Sequence, residues 1–190
     1  MKFFILGIIT AVAVLVAAGM VAIYSGVYNV AADKPHTAIE TWILRTAMTN
    51  SVKARTGAMT PPSDFGAENR IHEGFHLFDE MCVQCHGAPG KKPGEVGMGL
   101  SPHPPELSRV VTRWNTAQLM WIVKHGIIAT GMPAFGRTHT DEQLWNLLSF
   151  VQKLPQLTPE QYEALDGSSV QGHGQHDQQH DDQHDHQRNR

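Results

Sequence analysis

The sequence has few cysteines, only Cys82 and Cys85, and these lie too close together to cross-link distant parts of a chain. A scaffold held by disulfides is therefore excluded, and both residues are interpreted as carrying chemistry. Excess positive charge is also missing, since the formal net charge is −3 at pH 7. Nucleic-acid binding needs a basic surface, so no nucleic-acid partner is expected. Alternation of apolar and polar residues is absent too, which favours helices over strands.

Charged side chains are absent from Phe3 to Val30. This apolar run exceeds the roughly 20 residues that a helix needs to cross a bilayer core. Tyr24 and Tyr28 lie near its outer end, where aromatic rings favour the membrane interface. Lys2 is the one positive charge before the run and weakly favours a cytoplasmic N-terminus.

We interpret residues 1–32 as a single transmembrane anchor in the cytoplasmic membrane of a bacterium. The alternative is a secretory signal peptide, because Val30-Ala31-Ala32 resembles a small-residue cleavage site. The run is longer than the apolar region of a signal peptide, about 7–15 residues, which favours an uncleaved anchor. Either interpretation exports everything after Asp33, so the remainder is expected in the periplasm.

Three further regions follow the anchor. Residues 33–64 are interpreted as an amphipathic helix and a linker, in which Ile39, Trp42 and Ile43 recur at helical spacing. That helix is expected to pack on the next domain or lie near the lipid, with docking to a partner subunit as the alternative. Residues 65–166 are expected to form a helical domain, and residues 167–190 a tail.

The domain at 65–166 shows helix signals at four places. Helices are predicted from about Ala67 to Met81, from Asn115 or Thr116 to Gly126, from Thr140 through Val151, and briefly from Thr158. Between the first two lies a loop of about thirty residues rich in glycine and proline. A loop so long inside a small domain is uncommon. It is expected to wrap a bulky ligand.

The sequence Cys82-Val83-Gln84-Cys85-His86 has the C-x-x-C-H pattern of covalent haem c attachment. Each thiol would form a thioether to one vinyl group, and His86 would be the proximal iron ligand. Its other ring nitrogen should donate to a backbone carbonyl, which the stretch from Pro93 to Pro105 could supply. A zinc site and a thioredoxin-like redox pair are the alternatives, but further zinc ligands at the usual spacing and a βαβ context are both missing.

The sixth iron ligand has four candidates: Met98, Met120, Met132 and His125. Met132 is favoured because it lies in a rigid turn sequence, Gly131-Met132-Pro133, just after a helix. Met120 lies in a helical pattern and is expected in the core. His125 can instead cap the carbonyls at its helix end.

Residues from about Gly74 to Leu154 closely resemble class I cytochromes c, and among them the membrane-anchored mono-haem members. The resemblance rests on Gly74, Phe78, the haem motif, Gly131-Met132-Pro133-Ala134-Phe135 and an aromatic-bearing last helix. It implies an all-α fold around one haem, in which the first and last helices cross at Gly74 near Phe78 and Trp145. It also implies that Met132 is the distal ligand.

The resemblance implies a single-electron carrier of a respiratory or other periplasmic electron-transfer chain. Ligation by His86 and Met132 would fill all six iron positions and raise the reduction potential. We therefore expect an electron-transfer protein and no enzyme, tethered as a shuttle or as a subunit of a redox complex. Its partners would be the membrane and redox proteins such as a respiratory complex, an oxidase or a dehydrogenase. A haem enzyme with an open distal face is the alternative if Met132 does not ligate.

The tail over residues 167–190 is rich in Gln, His and Asp and has almost no apolar residues, which predicts disorder. It contains His173, His176, His180, His184 and His186. Imidazoles interleaved with aspartates could bind divalent Zn, Ni or Cu. The alternative is a solvated terminus without a specific ligand.

Overall fold

The chain forms two compact units, one from Met1 to Pro35 and the other from His36 onward. A computed structural model describes residues 1–57 and 59–165. The disorder and metal binding predicted for residues 167–190 lie outside the described residues. Within the described ranges the structure is helical and has no strands, and Ala88 and Lys91 form one isolated bridge. The predicted all-α fold is confirmed.

The first unit consists mainly of helix α1, Lys2–Tyr24, with 23 residues. At 1.5 Å per residue it is about 34 Å long, enough for a hydrocarbon core of about 30 Å. Of the helices in the described part of the chain, only α1 is long and apolar enough to cross a membrane. A signal sequence near the N-terminus meets the same criterion. Length and composition therefore fit both interpretations of residues 1–32.

The second unit contains the remaining helices. They are α2 Ala38–Arg55, α3 Glu68–Met81, α4 Val83–His86, α5 Glu95–Gly99, α6 Leu107–Val110, α7 Thr116–His125, α8 Asp141–Val151 and α9, residues 159–165. Short 3-10 turns lie at Val111–Arg113, Phe135–Arg137 and Leu154–Gln156. The helices predicted from the sequence all occur, and the Thr140/Gln143 capping box starts α8 as predicted.

Helices α3 and α8 cross closely and form the centre of the core. At the crossing Gly74 has no room for a side chain, because a Cβ there would clash with the carbonyl of Asn146. Phe78 packs on Phe150 with ring centroids 5.3 Å apart. The rings of Trp145 and Phe65 are nearly perpendicular, with centroids 5.9 Å apart. The close approach at Gly74 that the resemblance implied is therefore present.

The long glycine- and proline-rich loop is more structured than the sequence predicted. It contains α5 and α6, of five and four residues. Elements this short hold too few residues to show a helical period, which explains why the pattern did not reveal them.

Helix α2 has one buried position and an exposed apolar face. Val52 is fully buried, and α2 lies against α7. Exposed apolar side chains occupy the first two turns, at Ile39, Trp42, Ile43 and Leu44. Helix α2 thus contacts the rest of its unit near its C-terminal end.

Candidate haem site

Cys82, Cys85 and His86 lie on one continuous helical path. Helix α3 ends at Met81, and the N–H of Cys82 still donates to the carbonyl of Phe78 at 2.9 Å. The N–H of His86 donates to the carbonyl of Cys82 at 2.8 Å. The two cysteines form no disulfide. One helical turn therefore presents two free thiols and the imidazole that follows them.

Burial distinguishes the two thiols. Cys82 is 8% exposed and belongs to the core cluster, whereas Cys85 is partly exposed. Burial raises the pKa of Cys82 to about 12, and the neighbouring Cys85 adds to the rise. A thioredoxin-like redox pair needs a lowered thiol pKa, so this environment disfavours that alternative.

The zinc alternative is disfavoured by the surroundings of the motif. Among residues 1–57 and 59–165, no group of three or more His, Cys, Asp or Glu side chains could hold a metal ion. A structural zinc site takes four such ligands. The described residues therefore do not supply the ligand set of a structural zinc site at this motif.

His86 is anchored by a single hydrogen bond to the backbone. Its Nδ1 lies 2.8 Å from the carbonyl oxygen of Pro105, within the stretch predicted to supply this acceptor. Donation from Nδ1–H fixes the tautomer and leaves Nε2 with a free lone pair, as a metal-binding histidine requires. Burial lowers the pKa of His86, against a smaller opposing effect of the Pro105 carbonyl. The imidazole is thus neutral at pH 7, which is the form that ligates.

The segment after His86 folds back onto the motif through its glycines. The N–H of Gly94 donates to the carbonyl of Gln84 at 2.9 Å. A Cβ on Gly97 would come within 2.7 Å of that carbonyl oxygen and 2.8 Å of Cys85. Only glycine allows the start of the long loop to pack this tightly against α4, so these glycines hold the loop around the cysteines.

The turn that carries Met132 is fixed by its own backbone. The N–H of Met132 donates to Thr130 Oγ1 at 3.1 Å, and that hydroxyl donates to the carbonyl of Ile127 at 2.7 Å. A Cβ on Gly131 would clash with the side chain of Leu100, just beyond α5, so the turn passes close to this side chain. The Met132 turn therefore rests on the same loop that packs on Cys85.

The other ligand candidates occupy different environments. Met120 is 2% exposed in the core, where the sequence placed it. Met98 is 59% exposed on α5. His125 is exposed at the end of α7, with its ring centroid 5.0 Å from that of Trp121. Assignment of Met132 as the sixth ligand stays a prediction.

The donor set fits a covalently attached haem. Two free thiols on one turn are what the two thioether bonds of haem c require. A neutral imidazole whose Nδ1 is hydrogen-bonded to a backbone carbonyl is what a proximal iron ligand requires. In the described part of the chain, Nε2 of His86 has no hydrogen-bond partner. Cys82, Cys85 and His86 would hold the group, with the loop glycines packed behind Cys85.

Sequence reasoning missed one pair of histidines. His72 and His76 lie on α3 with ring centroids 4.8 Å apart. The signal was present, since residues 72–76 read His-Glu-Gly-Phe-His, the H-E-x-x-H pattern of metal-binding helices.

Residues 69–151 match the model of a family described as cytochrome C oxidase, cbb3-type, subunit III. No curated protein and no solved structure matches the chain. The matched segment runs from the first turn of α3 to the end of α8. It includes the cysteines, His86 and Met132, and leaves out α1, α2 and α9.

Proposed function

We propose that this chain carries single electrons through one haem c attached to Cys82 and Cys85. Residues 69–151 form a c-type cytochrome domain, which is the basis of this proposal. The observation that carries the proposal is that one helical turn presents two free thiols and an imidazole, and that this imidazole is hydrogen-bonded to the carbonyl of Pro105. When bound, haem supplies a one-electron Fe(III)/Fe(II) couple. The chain supplies attachment, orientation and exclusion of water.

We further propose that His86 and Met132 are the axial ligands of the iron. Support for His86 comes from its neutral, anchored imidazole. Support for Met132 comes from the hydrogen bonds that fix its turn and from the close approach of the Gly131 backbone to the Leu100 side chain, which leaves no room for a Cβ. Six-coordinate iron leaves no open position for a substrate, which favours electron transfer over enzyme chemistry. Ligation by methionine and histidine raises the reduction potential relative to ligation by two nitrogen ligands.

The domain is proposed to work on the periplasmic side of a bacterial cytoplasmic membrane, tethered by α1. Support comes from the length and composition of Lys2–Tyr24. A tether confines the domain to the membrane and raises its effective concentration near integral partners. The matched family is named for subunit III of a cbb3-type cytochrome C oxidase. An oxidase is therefore the proposed redox partner, with the chain acting as its subunit or as a shuttle to it.

Spectroscopy of matched methionine variants tests the ligation. The oxidised protein should show the methionine–iron charge-transfer band. Met132→Leu should abolish this band and lower the reduction potential, because the thioether is removed. Met98→Leu should change neither property, because Met98 is exposed on α5. The α-band of the reduced haem checks that both variants load haem.

A band that persists in Met132→Leu would refute the axial assignment. Attachment is tested separately by the mass of the purified protein. The chain should carry one haem that survives denaturation, and Cys82→Ser should leave at most one thioether. A polypeptide mass without haem would refute the proposal as a whole.

A further inference from the structure

His72 and His76 share the outward side of α3, away from the α3–α8 crossing. Residues four apart on a helix lie on the same face. Their ring centroids are 4.8 Å apart, while Gly74, Phe75 and Phe78 take the buried side of the same helix. The two imidazoles therefore meet at the surface, outside the packing that positions the haem motif.

The imidazole nitrogens of this pair are available. Over residues 1–57 and 59–165, neither His72 nor His76 has a hydrogen-bond partner, and their contacts are ring contacts alone. By helical spacing Glu68 neighbours His72, and Glu73 and Glu80 neighbour His76. All three carboxylates are exposed. Two imidazoles with three carboxylates at neighbouring helical positions favour a divalent cation over an anion.

Arg70, the nearest basic residue on α3, does not oppose this charge. Its Nε lies 2.9 Å from a carboxylate oxygen of Asp64, and its Nη1 donates to Asn146 Oδ1 at 2.5 Å. The Arg70 side chain is 12% exposed. Its charge is balanced by the carboxylates of Asp64 and of Glu142, the latter 3.9 Å from Nη2.

We propose that His72 and His76 chelate one divalent transition-metal ion of the Cu²⁺, Ni²⁺ or Zn²⁺ class on the outer face of α3. Imidazole nitrogen suits these metals, and Cu²⁺ binds most tightly among them. In H-E-x-x-H metallohydrolases a third protein ligand and a cleft complete the site. The described residues offer no such third ligand. The site is therefore a two-histidine chelate completed by water, and it binds metal without hydrolytic chemistry.

Titration of Cu²⁺ into the full-length, ferric holoprotein tests the site. The parent protein carries His→Gln at the five tail positions, which removes imidazoles beyond residue 165. It should bind one equivalent of Cu²⁺, with an electron paramagnetic resonance spectrum that shows coupling to two nitrogens. His72→Gln and His76→Gln should each lose this equivalent. The matched control His103→Gln, at an exposed loop position, should keep it.

Haem absorbance reports folding in each variant, because Cys82 and His86 are untouched. Thermal unfolding gives a second readout, since an ion that binds only the folded helix raises Tm. Ni²⁺ should raise the Tm of the parent and of His103→Gln but leave that of His72→Gln unchanged. A parent that binds no Cu²⁺, or an equivalent retained in His72→Gln, would overturn the proposal. Neither outcome bears on haem ligation, so this proposal and the proposed function fail independently.

Discussion

At the residue scale, Gly126 connects a helix end to the proposed iron ligand. Its φ of +66° and ψ of −171° lie in a region that only glycine occupies readily. A Cβ at this position would come within 2.7 Å of the carbonyl oxygen of Met132 and of Pro133. Backbone conformation and space thus both require glycine, and both act on the turn that carries Met132.

We expect Gly126→Ala to weaken or abolish the methionine–iron band of the oxidised protein. The substitution strains the backbone by about 1–3 kcal/mol and moves the turn away from α7. Gly66→Ala is the matched control, since Gly66 also has a positive φ, +84°, but nothing lies within 4 Å of its Cβ position. That variant should lose stability in a urea titration and keep the band. Methionine–iron bands of equal intensity in both variants would show that the position of Met132 does not depend on Gly126.

The individual residues of the site were its most predictable part from the sequence alone. Cys82, Cys85 and His86 are adjacent along the chain, so their pattern alone predicted their shared chemistry. Gly126 was predicted as a helix end, which the structure confirms. Its close approach to the Met132 carbonyl was not predictable, because a local sequence pattern does not indicate which backbone atoms a later turn brings near.

At the scale of elements, α9 closes the core although it lies beyond the matched segment. Tyr162 is fully buried, with its ring centroid 5.5 Å from Phe75 and 6.3 Å from Phe78. Its hydroxyl donates to Asp79 Oδ1 at 2.8 Å. The ammonium group of Lys91 lies 5.2 Å from the ring centroid. Helix α9 therefore covers the side of α3 that leads to Cys82.

We expect Tyr162→Ala to lower the free energy of unfolding by about 3–5 kcal/mol, the cost of a large cavity in a core. Tyr162→Phe removes only the hydroxyl and should cost about 1 kcal/mol. Glu163→Ala, at an exposed position of the same helix, should stay within about 0.5 kcal/mol of the parent. Denaturant titration of the haem-loaded protein measures all three. A Tyr162→Ala variant as stable as Glu163→Ala would mean that α9 does not support the core.

Helices with a clear apolar period and a cap were predicted well. The start of α8 followed from Thr140 and Gln143, and the start of α3 was placed at Ala67, its N-cap. The short helices α5 and α6 were missed because a single turn has no period. The burial of Tyr162 was also missed, since its partners on α3 are distant in sequence and only the fold brings them together.

At the scale of the whole molecule, the open structural alternative concerns residues 1–32. Both alternatives export the chain after Asp33, and the proposed attachment of haem to Cys82 and Cys85 would then take place outside the cytoplasm. An anchor confines electron transfer to partners at the membrane, whereas a cleaved signal releases a diffusible carrier. The fate of α1 therefore decides which partners the cytochrome domain can reach.

We expect the mature protein to retain α1, because its charge-free run exceeds the length of a signal peptide's apolar region. The intact mass should equal that of the 21.0 kDa polypeptide plus one haem, and the protein should leave the membrane only with detergent. Ala32→Leu is the matched control, since it removes the small residue at the cleavage-like sequence and leaves the apolar run intact. Parent and variant should then differ in mass only by the substitution itself. The opposite result would be a parent protein that is lighter than the full polypeptide and is released by a salt wash, while the Ala32→Leu variant stays full-length and membrane-bound. That result would mean that α1 is a signal peptide and that the mature cytochrome diffuses freely in the periplasm.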